Sequence, residues 1–126
     1  MVKILHSDAV ESYTLLPRLF DKLVESNQGT CTDLEMDDSG HFKFCFMAFG
    51  ASIEGWKYCR PIISVDGTFF KYSENDVSWT LFFKKIRGSF LEQANLVIVS
   101  NRHFSIPKGV LRVFPDVEYC VFTNIF

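Results

Sequence analysis

No two of the four cysteines form a Cys-x-x-Cys pair, which removes the common structural zinc sites. Cys31, Cys45, Cys59 and Cys120 are therefore expected as buried thiols in a reducing compartment, nucleus or cytosol. A basic-then-apolar leader is missing from the N-terminus, and no apolar run approaches the ~20 residues of a spanning helix, so no membrane partner is expected. Cationic excess is missing too. A formal net charge of −2 and a pI near 5.9 leave no global basic face, which argues against autonomous, tight binding of nucleic acid through phosphate neutralisation. Lys84, Lys85 and Arg87 make one short basic cluster, expected as a solvated helix face, with a local phosphate patch the alternative. What the chain does hold is apolar surface: 48% hydrophobic residues and 14 phenylalanines in 126 residues describe a globular composition of one domain at most.

The apolar residues of 9–25 (Val10, Tyr13, Leu16, Leu19, Phe20, Leu23) recur at three- and four-residue steps, the stripe of an amphipathic helix. Ser7 is its expected N-cap, Pro17 predicts a kink or a second short helix, and Asn27-Gln28-Gly29 its end. Thr30 to Met36 and His41 to Phe49 flank Asp37-Asp38-Ser39-Gly40 and predict a β-hairpin, with Phe42, Phe44 and Phe46 on one face and Lys43, Cys45 and Met47 on the other. Gly50 and Gly55 bracket a short connecting segment. Further on, Trp79, Phe82, Phe83 and Ile86 share a helical stripe, with Ser73 as N-cap, Asp76 three residues on, and Gly88 as the stop. Helical spacing accounts for Trp79, Phe82 and Phe83 together as core rather than as a base-stacking platform. Leu96 to Val99 is a second apolar strand, ending at Ser100-Asn101-Arg102-His103. Ser105 is expected to cap a last helix, with Pro107 in its first turn and Pro115 as its stop, and a final strand runs from Val117 to Val121.

One stretch departs from this pattern. Ile62 to Phe70 is β-branched and aromatic apart from Ser64 and Asp66-Gly67, as an interior strand would be. A carboxylate at the end of such a strand is costly to bury unless it is paired, hydrogen-bonded or metal-bound, so Asp66 is a candidate site residue. The other reading, an Asp-Gly turn, stays open.

Arg60-Pro61 followed by an apolar strand ending in Asp66-Gly67-Thr68 resembles the signature of Mutator-like element (MULE) transposases, in which that Asp is the first acid of a DDE triad. Other segments follow in family order. Upstream stand Glu11-Ser12-Tyr13 with Leu16-Pro17, Asn27-x-Gly29-Thr30, and Phe42-x-Phe44-x-Phe46-Met47-x-x-Gly50-Ala51; downstream come Ser78-Trp79-x-x-Phe82-Phe83, the strand before Arg102-His103, and Phe114-Pro115 ahead of Cys120. The departures are as informative. Gln28 stands in place of the usual Pro, the two strands expected between the Asp-Gly-Thr strand and the Trp-bearing helix are missing, and Asn101 occupies the position of the second acid. Thr123 stands where a His would fall, and the catalytic Glu expected further downstream is not among these residues.

The resemblance implies an α+β (α/β-like) fold, an incomplete RNase H-like core at 59–126 preceded by an N-terminal helix and β-hairpin region at 1–58. It implies ancestral DNA transposition by a metal-dependent mechanism, in which two Mg2+ or Mn2+ ions held by three carboxylates align the nucleophile and the scissile phosphate. Here only Asp66 remains as a first acid and a weak, ancestral metal ligand. Asn101 keeps one carbonyl oxygen and loses the charge, so no bound metal and no catalysis are expected. Asp116 and Glu118 are expected as solvated surface acids, and nothing in their spacing selects them. Arg102 and His103 would contact phosphate in an intact relative; here a structural role is expected. Ser100 near His103 lacks a partnering acid or nucleophile elbow, which sets aside a serine hydrolase. DNA contact is expected to be weak or absent, and the unpaired edge left by the missing strands predicts self-association, with cover by the Thr30 to Phe49 hairpin as the alternative. The second reading is a domesticated interaction or transcription-regulatory module of the far-red-impaired type. The zinc-binding domain expected before the core and the SWIM-type finger expected after it are not in this sequence.

Overall fold

In the computed structural model the described residues are 9–67, 76–102 and 104–122. They form four helices and two small sheets, a mixed α+β arrangement divided into two compact units, 1–54 and 55–126. The expected Ser7 and Ser73 caps, the strand end at 68–70, His103 and Thr123 lie outside the described residues, as do the side chains of Val10 and Tyr13.

The first unit holds helix α1 (Ala9–Ser26) and strands β1 (Cys31–Met36) and β2 (Phe42–Ala48). α1 is one uninterrupted helix that carries Pro17 inside it. Leu16 and Phe20 are buried and Leu19 and Leu23 half-buried, as a stripe at helical spacing requires. Asn27 closes the helix with both its backbone N–H and its side-chain amide on the Leu23 carbonyl, at 2.9 and 3.1 Å, and Gly29 then turns the chain with φ +85°.

The hairpin is antiparallel, its register running from Cys31 opposite Ala48 to Met36 opposite Phe42 with one shift at Glu35/Met36. Its turn is built by Asp37, whose carboxylate accepts from the backbone N–H groups of Ser39 (2.9 Å) and His41 (2.8 Å), while Gly40 supplies φ +80°. These bonds, the His41 N–H first, hold the Asp37 carboxyl below its ordinary value of 3.8. Phe44, Phe46 and Ala48 are buried on one face, and Lys43 and Cys45 are exposed on the other. Helix α2 (Gly50–Trp56) follows at a close backbone approach: a Cβ at Gly50 would stand 2.0 Å from the Gln28 carbonyl oxygen, and the Gly50 N–H donates to the buried Thr30 hydroxyl at 3.0 Å.

The second unit is a three-stranded parallel sheet, β3 (Ile62–Val65), β4 (Val97–Ser100) and β5 (Glu118–Val121), in the order β3-β4-β5. Helices α3 (Asp76–Ser89) and α4 (Ser105–Val113) lie in the two crossovers, which parallel strands require. The core gathers Trp79 and Phe83 of α3, Ile106, Val110 and Val113 of α4, Ile98 of β4, Val65 of β3, and Phe114. α3 and α4 pack closely because residue 109 is glycine: a Cβ there would come within 3.0 Å of the Phe83 ring and 3.1 Å of the Trp79 backbone. Trp79 and Phe82 meet edge to face with centroids 5.4 Å apart, so this helix's aromatics are core.

Several expectations are corrected. Composition alone pointed to an interior strand for Asp66, whereas among the described residues β3 pairs only with β4, and Ile62 and Ser64 on its outer face are exposed. All four cysteines are exposed rather than buried. Cys45 and Cys120 fall on the outward parity of their strands, Cys31 opens β1, and Cys59 lies in the loop after α2. Gly88 does not stop α3, which runs on to Ser89. Ser105 does not cap α4. Phe104 holds the N-cap position without a side-chain cap bond, and the Ser105 hydroxyl donates to Asp76 at the start of α3. That bond, with Lys108 Nζ at 3.2 Å, holds the Asp76 carboxyl below its ordinary value and ties the first turns of the two helices together.

Candidate functional site

Parallel pairing of β3 with β4, in a register that sets Val65 beside Ser100, brings positions 66 and 101 to neighbouring strand ends. This is the carboxyl edge of the sheet, where open α/β sheets carry their ligand sites. Asp66 has left the strand and is exposed, so its charge stays in water and the burial cost that made it conspicuous is not incurred.

Asn101 is committed. Its Oδ1 accepts from the Gly67 N–H at 3.0 Å and its Nδ2 donates to the Gly67 carbonyl at 2.8 Å. The Asn101 backbone N–H reaches the Val65 carbonyl at 3.3 Å. The side-chain amide thus satisfies one residue's donor and acceptor together and carries the β3–β4 ladder one step beyond the last paired backbone. An amide does both at any pH. A carboxylate would still accept from the N–H but would face the Gly67 carbonyl oxygen with no proton between them.

Below this clamp the Ser100 hydroxyl is fully buried; it bonds the Tyr119 hydroxyl and donates to the Asn101 carbonyl at 2.9 Å. The chain Tyr119–Ser100–Asn101 fixes the backbone that carries the amide, and Phe122 N–H on the Ser100 carbonyl, at 2.9 Å, ties in β5. Ser100 is therefore a structural hydroxyl with both bonding directions occupied. Arg102 follows and is exposed, and Phe104 is 89% exposed.

The acids do not converge. Asp116 and Glu118 stand where β5 begins, at the amino edge of the sheet, and Asp66 lies past the end of β3 at the opposite edge. A four-residue strand between them spans roughly 13 Å. Among the described residues no group of three or more His, Cys, Asp or Glu side chains stands together to hold a metal ion. A two-metal centre needs clustered, charged oxygen donors. One exposed carboxylate beside an amide whose two ends are bonded to Gly67 does not fit that centre.

Arg87, from the short basic cluster, is not a free phosphate ligand. Its guanidinium donates to the Val113 carbonyl at the end of α4, pairs with Glu92 at 3.2 Å, and lies 5.4 Å from the Phe114 ring centroid. Two features escaped sequence reading: the Gly67 backbone as the partner of Asn101, and a cavity of about 450 Å³ at the amino edge of the sheet, walled by Trp56, Phe90, Leu96 and Phe114. Asn in place of Asp was the one visible signal for the first. The second joins residues from four separate segments and had none. Among the described residues, no helix is long and apolar enough to cross a membrane. No family model matches the chain, and no curated protein or solved structure matches it.

Proposed function

We propose that this chain is a MULE transposase-derived protein, an incomplete RNase H-like core that has kept the scaffold of a DDE site without its chemistry. The observation that carries the reading is the Asn101 amide, bonded in both directions to Gly67 at the position the family gives its second acid. The order β3-β4-β5, with a helix in each crossover, adds support. It is what an RNase H-like sheet retains when the two strands beyond its Asp-bearing strand are taken away, and it leaves positions 66 and 101 as neighbours. On this reading the strand ends that once held metal are joined by hydrogen bonds. DNA contact is weak, Mg2+ or Mn2+ has no high-affinity site, and the protein acts in the nucleus or the cytosol.

The test is a cleavage and joining assay on terminal-repeat DNA with the purified chain in Mg2+ or Mn2+. No product above background is expected, and metal-dependent cleavage or joining would overturn the reading.

The second reading is an interaction module of the far-red-impaired type, and one further observation bears on self-association under either reading. Among the described residues the β3 edge and the outer sheet face, with Ile62 53% exposed, present apolar surface that a parallel sheet ordinarily covers. Self-association through that edge predicts an oligomer in light scattering. A monodisperse monomer with one cooperative thermal transition would count against it.

A further inference from the structure

The cavity at the amino edge of the parallel sheet belongs to neither strand-end acid nor to the Asn101 clamp. Its volume of about 450 Å³ is within the range of small-molecule pockets. Trp56 and Phe90 meet edge to face on one side, with centroids 6.4 Å apart, and Phe114 closes another. Trp56 is held in place from both ends: its Nε1 donates to the Leu91 carbonyl at 2.7 Å, and its own carbonyl accepts from Gln93 Nε2 at 2.7 Å. The aromatic wall is therefore preformed.

Among the described residues that line this cavity, negative charge is in excess. Helices in parallel crossovers run against the strands, so α3 and α4 both end here, and Ile86, Arg87 and Phe114 from those ends are among the lining residues. Helix C-termini carry the negative end of the macrodipole and favour cations. Glu92, Asp116 and Glu118 stand on the rim, and among the described residues Arg87 is the one lining cation, already paired with Glu92. Asp116 and Glu118 remain as excess negative charge. The protein's own use of the place has the same chemistry: Arg87 sets a guanidinium against an aromatic ring and a helix-terminal carbonyl.

We infer that this cavity is a binding site for a small organic cation with an apolar, ring-sized body. The body seats against Trp56, Phe90 and Leu96, and the charge points to the helix ends and to Asp116 and Glu118. The inference does not depend on the transposase reading, since it uses the opposite edge of the sheet.

The probes are tryptamine, its neutral analogue tryptophol and its anionic analogue indole-3-acetate, titrated into the 15N-labelled full chain at low salt. Tryptamine is expected to shift the Trp56 indole N–H and the Phe90 and Leu96 amides and to bind roughly three- to tenfold tighter than the anion. In the Asp116→Asn, Glu118→Gln double variant, whose changes are exposed and isosteric, that preference should fall to near unity while tryptophol binding is unchanged. Equal affinity for the three probes would overturn the proposal, as would shifts confined to other residues or the absence of any shift at millimolar tryptamine.

Discussion

In the hairpin, the turn that sets the register is closed by bonds between residues four apart, from Asp37 to His41; in the parallel sheet, Asn101 and Gly67 are 34 apart. The two units use the same ladder chemistry at different sequence distances. A hairpin turn forms as soon as its own few residues adopt it. The parallel pair forms only after a crossover has been ordered, so the loop-closure cost precedes the gain. The long-range pair therefore gains from an extra connection at its open end, and the Asn101 amide supplies two hydrogen bonds there. The hairpin has Asp37 inside its turn, doing locally what Asn101 does across the sheet.

The strongest way to break the comparison is to remove the core of the parallel unit alone. Phe83 is fully buried between α3, α4 and the sheet, and Phe83→Ala should cost about 3–5 kcal/mol. Urea denaturation, followed by hydrogen exchange of β4 and of β2, would show protection lost in the former with a smaller loss in the latter. Equal loss in both would mean that the two units unfold as one.

Gly50→Ala addresses the other unit. Its Cβ would meet the Gln28 carbonyl, a backbone atom that cannot rotate away, and the expected loss is about 2–3 kcal/mol, read as a lowered midpoint in the same denaturation.

Asn101→Asp tests the clamp, at a cost of about 1–2 kcal/mol near pH 7. The aspartate needs a proton to donate to Gly67, and the Asp66 charge nearby opposes its ionisation, so its folded-state pKa rises above the unfolded value of about 3.9. The variant's clamp is therefore intact below that unfolded value and lost as pH rises through the raised folded one. Thermal unfolding at pH 3.5 and pH 7 should show the deficit against the parent chain narrowing in acid. A deficit that does not change with pH would remove the amide argument.

The smallest effect belongs to the ionised turn and helix-start acids. Asp37 and Asp76 have folded pKa values below their ordinary 3.8. What they lend is present above 3.8 and lost as pH falls through the lower folded values. Asp37→Ala should flatten the acid limb of β1–β2 protection slightly, as expected of exposed groups.

Much of the secondary structure was legible because periodicity and turn chemistry are local. The α1 stripe from Leu16 to Leu23, the Asp37–Gly40 turn and the buried Phe44 and Phe46 of β2 depend on neighbours within a few residues, and these appear as read. The site was less legible. Asp66 drew notice as a carboxylate on an interior strand, yet among the described residues that strand pairs on one side only and the carboxylate is exposed. Burial depends on which elements are stacked over a strand, and one strand's residues do not contain that information. Exposure of the cysteines has the same cause, and so does the use of Ser105, whose hydroxyl found a partner on another helix in place of its own backbone N–H groups.

By itself the sequence determined most of the helices and strands (though not helix α2), the hairpin with its Asp37 turn, and the presence of a single acid and an amide at positions 66 and 101. Only the tertiary structure decided what they do. Parallel pairing set residue 101 beside Gly67, where an amide can bond in both directions and a carboxylate cannot. The same pairing sent Asp116 and Glu118 to the opposite edge, alongside two helix ends and an aromatic wall. Side-chain chemistry is written residue by residue, but the partner of each polar group is set by which chain segments pack against it.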